Sequence, residues 1–134
     1  MVDPARVESV SSLAALPPNV RTALADAFDE VAVPAGERVA SQGDFAYELF
    51  AIVEGTARVE QDGTVVATLG EGELFGEIGL LLTGRRTAAI VAETPMLLLA
   101  LFDQSVRRLS NQHPEFAELL RSQSRRRFTR PATV

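Results

Sequence analysis

The chain has 134 residues, 46% of them apolar, with no cysteine, one histidine and a formal net charge of −5. That length supports one domain with a real core, and the cysteine and histidine counts exclude a disulfide framework, a thiolate metal site and a histidine cluster. The acidic balance argues against non-specific nucleic-acid binding, no apolar run reaches the length of a membrane span, and the opening MVDPARVESV lacks a signal-peptide core. The sequence therefore predicts a cytoplasmic protein with no cofactor or metal.

In chain order, Ser11-Ser12 precede Leu13, Leu16, Val20, Leu24, Ala27 and Phe28 at helical spacing, with Pro17-Pro18 separating a first turn from a longer helix. Pro34-Ala35-Gly36 reads as a turn. The period then changes to two. Tyr47, Leu49, Ala51 and Val53 share one face, and Phe50 and Ile52 on the other predict a strand covered on both sides. Asp62-Gly63 between Ala57–Val59 and Val65-Val66 is a hairpin signal. Gly70-Glu71-Gly72 marks another turn, and Leu74-Phe75 a short strand. Ile78 to Leu82 predicts one or two helical turns. Thr87 to Ala92 and Met96 to Phe102 are closing strands. Asp103 is expected to cap a helix holding Val106 and Leu109, and Pro114 to open another with Phe116, Leu119 and Leu120 on one stripe. His113 reads as a capping or surface residue. Helices, many short strands, then helices suggest a β-barrel or sandwich flanked by helices from both ends.

The chemistry is concentrated in FGEIGLLLTGRRTAAIVA, Phe75 to Ala92. A carboxylate at Glu77 can accept from a ribose hydroxyl, and the guanidinium of Arg86 can make two parallel bonds to phosphate oxygens. Small residues at Thr87, Ala88 and Ala89 let the backbone approach closely. A helix opened at Gly76 would add N–H groups and a favourable dipole. No metal-holding or nucleophile-positioning group accompanies them, so the segment points to binding without phosphoryl transfer.

This segment resembles the phosphate-binding cassette of cyclic nucleotide-binding domains, whose pattern runs Phe-Gly-Glu-Leu-Ala-Leu-Leu, a short loop, then Arg-x-Ala. Gly36-Glu37, Gln42-Gly43-Asp44, Tyr47 to Val53 and Glu54-Gly55 stand upstream in the family's order, and the resemblance covers about Leu13 to Arg127. It implies an α+β, mainly β fold: an eight-stranded, jelly-roll-like β-roll over 29–102, with the cassette at 75–89, N-terminal helices within 1–28 and two C-terminal helices within 103–128, all one domain over 1–134. It implies a sensor that binds cyclic AMP or cyclic GMP and is not an enzyme. Arg86 would pair with the cyclic phosphate and Glu77 would take the ribose 2′-hydroxyl. Gly76 and Ala88 would lend N–H groups, Thr87 would tune the base, and Ile78 belongs to the same ligand-binding set.

Two positions depart from the family: Arg85 stands where proline is common, and Ala89 where Thr or Ser is common. The C-terminal helix is expected to be a weakly anchored lid that carries the signal, with Arg127 or Phe128 stacking on the purine. Its cluster Arg121, Arg125, Arg126, Arg127 and Arg130 reads mainly as a solvated helix end. No direct nucleic-acid contact is expected, since the basic tail is short and without interleaved aromatics. A protein partner or effector domain stays unidentified, and a homodimer is open. The alternatives are an interaction module that keeps the fold without a nucleotide, or the sensor fragment of a larger regulator.

Overall fold

The computed structural model describes the backbone of residues 1–128 and the side chains of residues 1–127. Three helices come first, α1 (Pro4–Glu8), α2 (Ser11–Ala14) and α3 (Pro18–Ala27). Sequence periodicity misses α1, which is too short to show any. Its signals are local: Asp3 accepts from the N–H of Ala5 at 2.9 Å and Pro4 stands in the first turn. Eight strands follow, β1 (Asp29–Val33), β2 (Arg38–Ala40), β3 (Glu48–Glu54), β4 (Ala57–Gln61), β5 (Thr64–Leu69), β6 (Leu74–Phe75), β7 (Ala89–Ala92) and β8 (Met96–Phe102), and then α4 (Asp103–Gln112) and α5 (Pro114–Phe128).

The strands form two four-stranded antiparallel sheets, ordered β1-β8-β3-β6 and β2-β7-β4-β5. The two-residue period decides what each residue of β3 and β8 covers. Phe50, Ile52, Leu98 and Ala100 turn into the core between the sheets with Phe75, Val59 and Ile90. Leu49, Ala51, Leu99 and Leu101 turn outward onto a second core made with the helices, where Leu13, Val20, Leu24, Val106, Leu109, Phe116 and Leu120 are buried. The two-sided covering expected for β3 is borne out, and burial of each such Leu or Phe side chain contributes about 1.5–3 kcal/mol. The β4–β5 hairpin turns on Asp62 and Gly63 with φ of 53° and 80°, the positive pair that a type I′ turn requires.

Two expectations need correction. Tyr47 does not join the buried face of Leu49 and Ala51: β3 begins at Glu48, and Tyr47 is exposed beside Phe45 with ring centroids 6.4 Å apart. Its carbonyl still accepts the N–H of Asp103, but Asp103 already opens α4, so β8 offers no further strand partner. Asp103 is the first residue of α4 rather than its cap, which is Phe102, although the Asp103 carboxylate still accepts the N–H of Gln104 at 2.8 Å. Among the described residues no helix is long and apolar enough to cross a membrane.

Candidate functional site

Gly76 leaves β6 with φ of +96°, a conformation that glycine adopts without the Cβ penalty. The chain then winds through a π-helical turn, Gly79–Thr83, which stops at Gly84 in the left-handed region. The expected one or two helical turns are present, and their tight seat on the returning strand explains Gly79. A Cβ there would lie 2.9 Å from the carbonyl oxygen of Arg85. The turn brings Arg86 back over Gly76, where a Cβ would stand 2.7 Å from Arg86 Nη1 and 3.0 Å from the Glu48 carbonyl oxygen. Arg86 donates to two backbone carbonyls, Nη2 to Glu48 at 2.8 Å and Nη1 to Gly76 at 3.3 Å. Its guanidinium also lies 5.7 Å from the Phe50 ring centroid. Burial lowers the Arg86 pKa from its ordinary value, opposed by the charges of Glu48 and Glu77.

Glu77 is 0% exposed. Burial raises its pKa above the ordinary carboxylate value, while Arg127 and then Gln123 act to hold it down. Gln123 Nε2 donates to Glu77 Oε2, and Arg127 Nη1 donates to Oε1 at 3.0 Å and Oε2 at 3.4 Å. Gln123 also donates to the Leu74 carbonyl at 3.2 Å, and Arg127 Nη2 stands 3.9 Å from Glu73 Oε1. These contacts correct the picture of α5 as a weakly anchored lid. The buried stripe runs past Leu120 through Gln123 and Arg127, changing from apolar packing to hydrogen bonds and an ion pair. Arg127, 8% exposed, is committed to Glu77 rather than presenting a face for a purine. The side chain of Phe128 lies outside the described residues, as does Arg130 of the basic tail.

Thr87 offers its carbonyl to Gln61 Nε2 at 3.1 Å, and Ala88 is buried just before β7. Ile78 is fully buried under the turn. Among the described residues no group of three His, Asp or Glu side chains is placed to hold a metal. A cleft of about 360 Å³ opens on the β2 side of Arg86, lined by Ser41, Asp44, Phe45, Tyr47 and Phe50 among others. Sequence reasoning missed Gln123, Glu73 and the Glu48 carbonyl. Gln123 and Arg127 share a helical face at i, i+4 with Leu120 and Phe116 one and two turns earlier, which was a readable signal. A backbone carbonyl such as that of Glu48 leaves none.

Residues 30–113 match the family model described as the cyclic nucleotide-binding domain, more than half of the chain. The chain belongs to that family. As a cyclic nucleotide-binding domain it is 37% identical over 125 residues to the cAMP-dependent protein kinase regulatory subunit of Schizosaccharomyces pombe, covering 91% of this chain and 29% of that protein. It is 38% identical over 101 residues to the type II regulatory subunit of Drosophila melanogaster, covering 72% of this chain and 27% of that protein. Among solved structures, the Thermus thermophilus catabolite activator protein is 34% identical with a TM-score of 0.76, over 85% of this chain and 55% of that one. The regulatory domain of Toxoplasma gondii PKA, crystallised with cAMP, superposes with a TM-score of 0.79 over 92% of this chain and 48% of that chain. Its 22% identity speaks for the fold alone. This chain is thus a cyclic nucleotide-binding domain of the kind carried by kinase regulatory subunits and an activator protein, and it spans under a third of the two regulatory subunits' length.

Proposed function

We propose that this domain binds a cyclic purine nucleotide, cyclic AMP or cyclic GMP, performs no chemistry on it, and converts binding into movement of α5. Arg86 would meet the cyclic phosphate, since a guanidinium has more N–H donors than the two carbonyls take up. Glu77 would accept the ribose 2′-hydroxyl, with Arg127 and Gln123 orienting its carboxylate. The N–H groups of Gly76 and Ala88 would complete the phosphate cradle, and Thr87 would tune base choice. The observation that carries this reading is Gly76. Its missing side chain makes room for Arg86, and the next residue is the buried Glu77, so the groups that would meet the phosphate and the ribose both stand at this one turn.

Isothermal titration of cyclic AMP and cyclic GMP into the parent and into Arg86→Leu tests it. Losing the bidentate partner of a desolvated charge costs about 2–5 kcal/mol, roughly thirtyfold to several thousandfold in affinity, and Arg86→Lys should recover only part. Equal binding by the parent and Arg86→Leu would refute the site. One observation favours the other reading: Glu77 is already satisfied by Gln123 and Arg127 without any ribose, as suits an interaction module independent of nucleotide. On that reading the parent binds neither ligand.

A further inference from the structure

Arg86 is held from the β2 side by the segment 43–46, and the hold is mutual. The N–H of Gly43 donates to the Arg86 carbonyl at 2.9 Å, the N–H of Arg86 to the Asp44 carbonyl at 2.7 Å, and the N–H of Ala46 to the Gly84 carbonyl at 3.0 Å. Two side chains close this seam from outside. Arg85 Nη1 donates to the Gly43 carbonyl at 2.9 Å, and the Arg85 guanidinium lies 4.1 Å from the centroid of the Phe45 ring. Thr83 Oγ1 donates to the Arg85 carbonyl at 2.6 Å, tying the end of the π-helical turn to the same point. Phe45 is 58% exposed, so its ring adds little to the core. The cleft beside it, bounded by Val39 and Ala40 of β2, lies along this flank of Arg86.

We infer that Arg85 and Phe45 form a surface clasp that positions Arg86, making both of them positioning residues for phosphate recognition. The inference rests on the reading above that Arg86 meets the phosphate. The clasp supplies, by cation–π contact and hydrogen bond, the local stiffness that a proline at position 85 would supply through its ring. Without it the seam loses its outer closure and the Arg86 backbone gains freedom, while both sheets and both cores stay intact.

The test uses the full chain with cyclic AMP as the probe. Titration is run on the parent, Arg86→Leu, Phe45→Ala, Arg85→Ala, the double variant Phe45→Ala/Arg85→Ala, and Phe45→Trp. A surface cation–π contact corresponds to about a two- to fivefold change. Phe45→Ala and Arg85→Ala should each weaken binding by that factor, and the double variant by no more than either single change. Phe45→Trp, which keeps a ring face under the guanidinium, should bind as the parent does. Hydrogen exchange of Phe45→Ala without ligand should quicken at the Gly43, Ala46 and Arg86 amides and stay unchanged along β8. Parental affinity in Phe45→Ala and Arg85→Ala, with Arg86→Leu impaired, would overturn the clasp alone. So would single losses that multiply, failure of tryptophan to rescue, or exchange that quickens in β8 as well. Parental affinity in Arg86→Leu would instead remove the phosphate reading beneath it.

Discussion

Gly76→Ala separates two effects that a glycine at this place combines. The first is backbone strain. With φ at +96°, an alanine costs about 1–2 kcal/mol for the left-handed region. The second is space. The new Cβ would sit 2.7 Å from Arg86 Nη1 and 3.0 Å from the Glu48 carbonyl oxygen. That carbonyl belongs to β3 and is fixed by the sheet, so the flexible end of Arg86 must give. Its retreat breaks the Nη1 bond to the Gly76 carbonyl and turns the fork away from where phosphate would lie. A hydrogen bond involving a charged group contributes about 1.5–3 kcal/mol, so affinity for cyclic AMP should fall about tenfold to a hundredfold. Gly63→Ala supplies the control. Its φ is +80° but nothing lies within 4 Å of its Cβ position, so it carries the strain without the collision. Thermal unfolding should show both variants destabilised, and calorimetry should show weakened binding for Gly76→Ala only. If Gly76→Ala binds as tightly as Gly63→Ala, Arg86 does not carry the phosphate from this position.

Two further outcomes follow from the buried carboxylate. A 2′-deoxy cyclic nucleotide should bind more weakly by about 1.5–3 kcal/mol, the contribution of a hydrogen bond to a charged acceptor. Equal titration curves for ribo and deoxy ligands would remove Glu77 from ribose recognition. Arg127→Leu should destabilise the unliganded protein by about 3–5 kcal/mol at neutral pH, because it strands a buried charge. The sign with pH is set by the raised Glu77 pKa. Stability tied to a carboxyl whose folded value lies above its unfolded one is fully present below the ordinary 4.5 and is lost as pH rises through the folded value. Removing the cation that holds that value down steepens the loss, so the deficit of Arg127→Leu should grow from pH 4.5 to neutrality in urea unfolding. A deficit independent of pH would mean that Arg127 acts by packing, not by its charge.

The hairpin at Asp62-Gly63 and the double covering of β3 were legible in the sequence because each is decided within a few residues by sterics or by a period, and the grouping of Gly76, Glu77 and Arg86 was legible through the resemblance to the family's cassette. Contacts between distant segments were not. The arginine-rich end of α5 has the composition of a solvated helix terminus, and only the position of Glu77, 50 residues earlier, turns Arg127 into a buried partner. Tyr47 failed for the opposite reason. Its alternation with Leu49 is sound, but the partner strand β8 stops at Phe102, where α4 begins, before the pattern reaches Tyr47.

Phosphate and ribose recognition would therefore answer to different parts of the molecule. The Arg86 guanidinium is fixed by carbonyls of β3 and of the Gly76 turn, so its position is set without any contact from α5. Glu77 is fixed by Gln123 and Arg127, both on α5. A carboxylate offers about four lone-pair sites, and a ribose hydroxyl arriving at Glu77 would have to share them with donors from that helix. Ligand contact at Arg86 alone would leave α5 indifferent, because a ligand shifts an equilibrium only by its difference in contact between states. Contact at Glu77 cannot, since it changes the electrostatics of the side chains that hold α5 down. On this geometry the ribose, more than the phosphate, is the group that would speak to the helix.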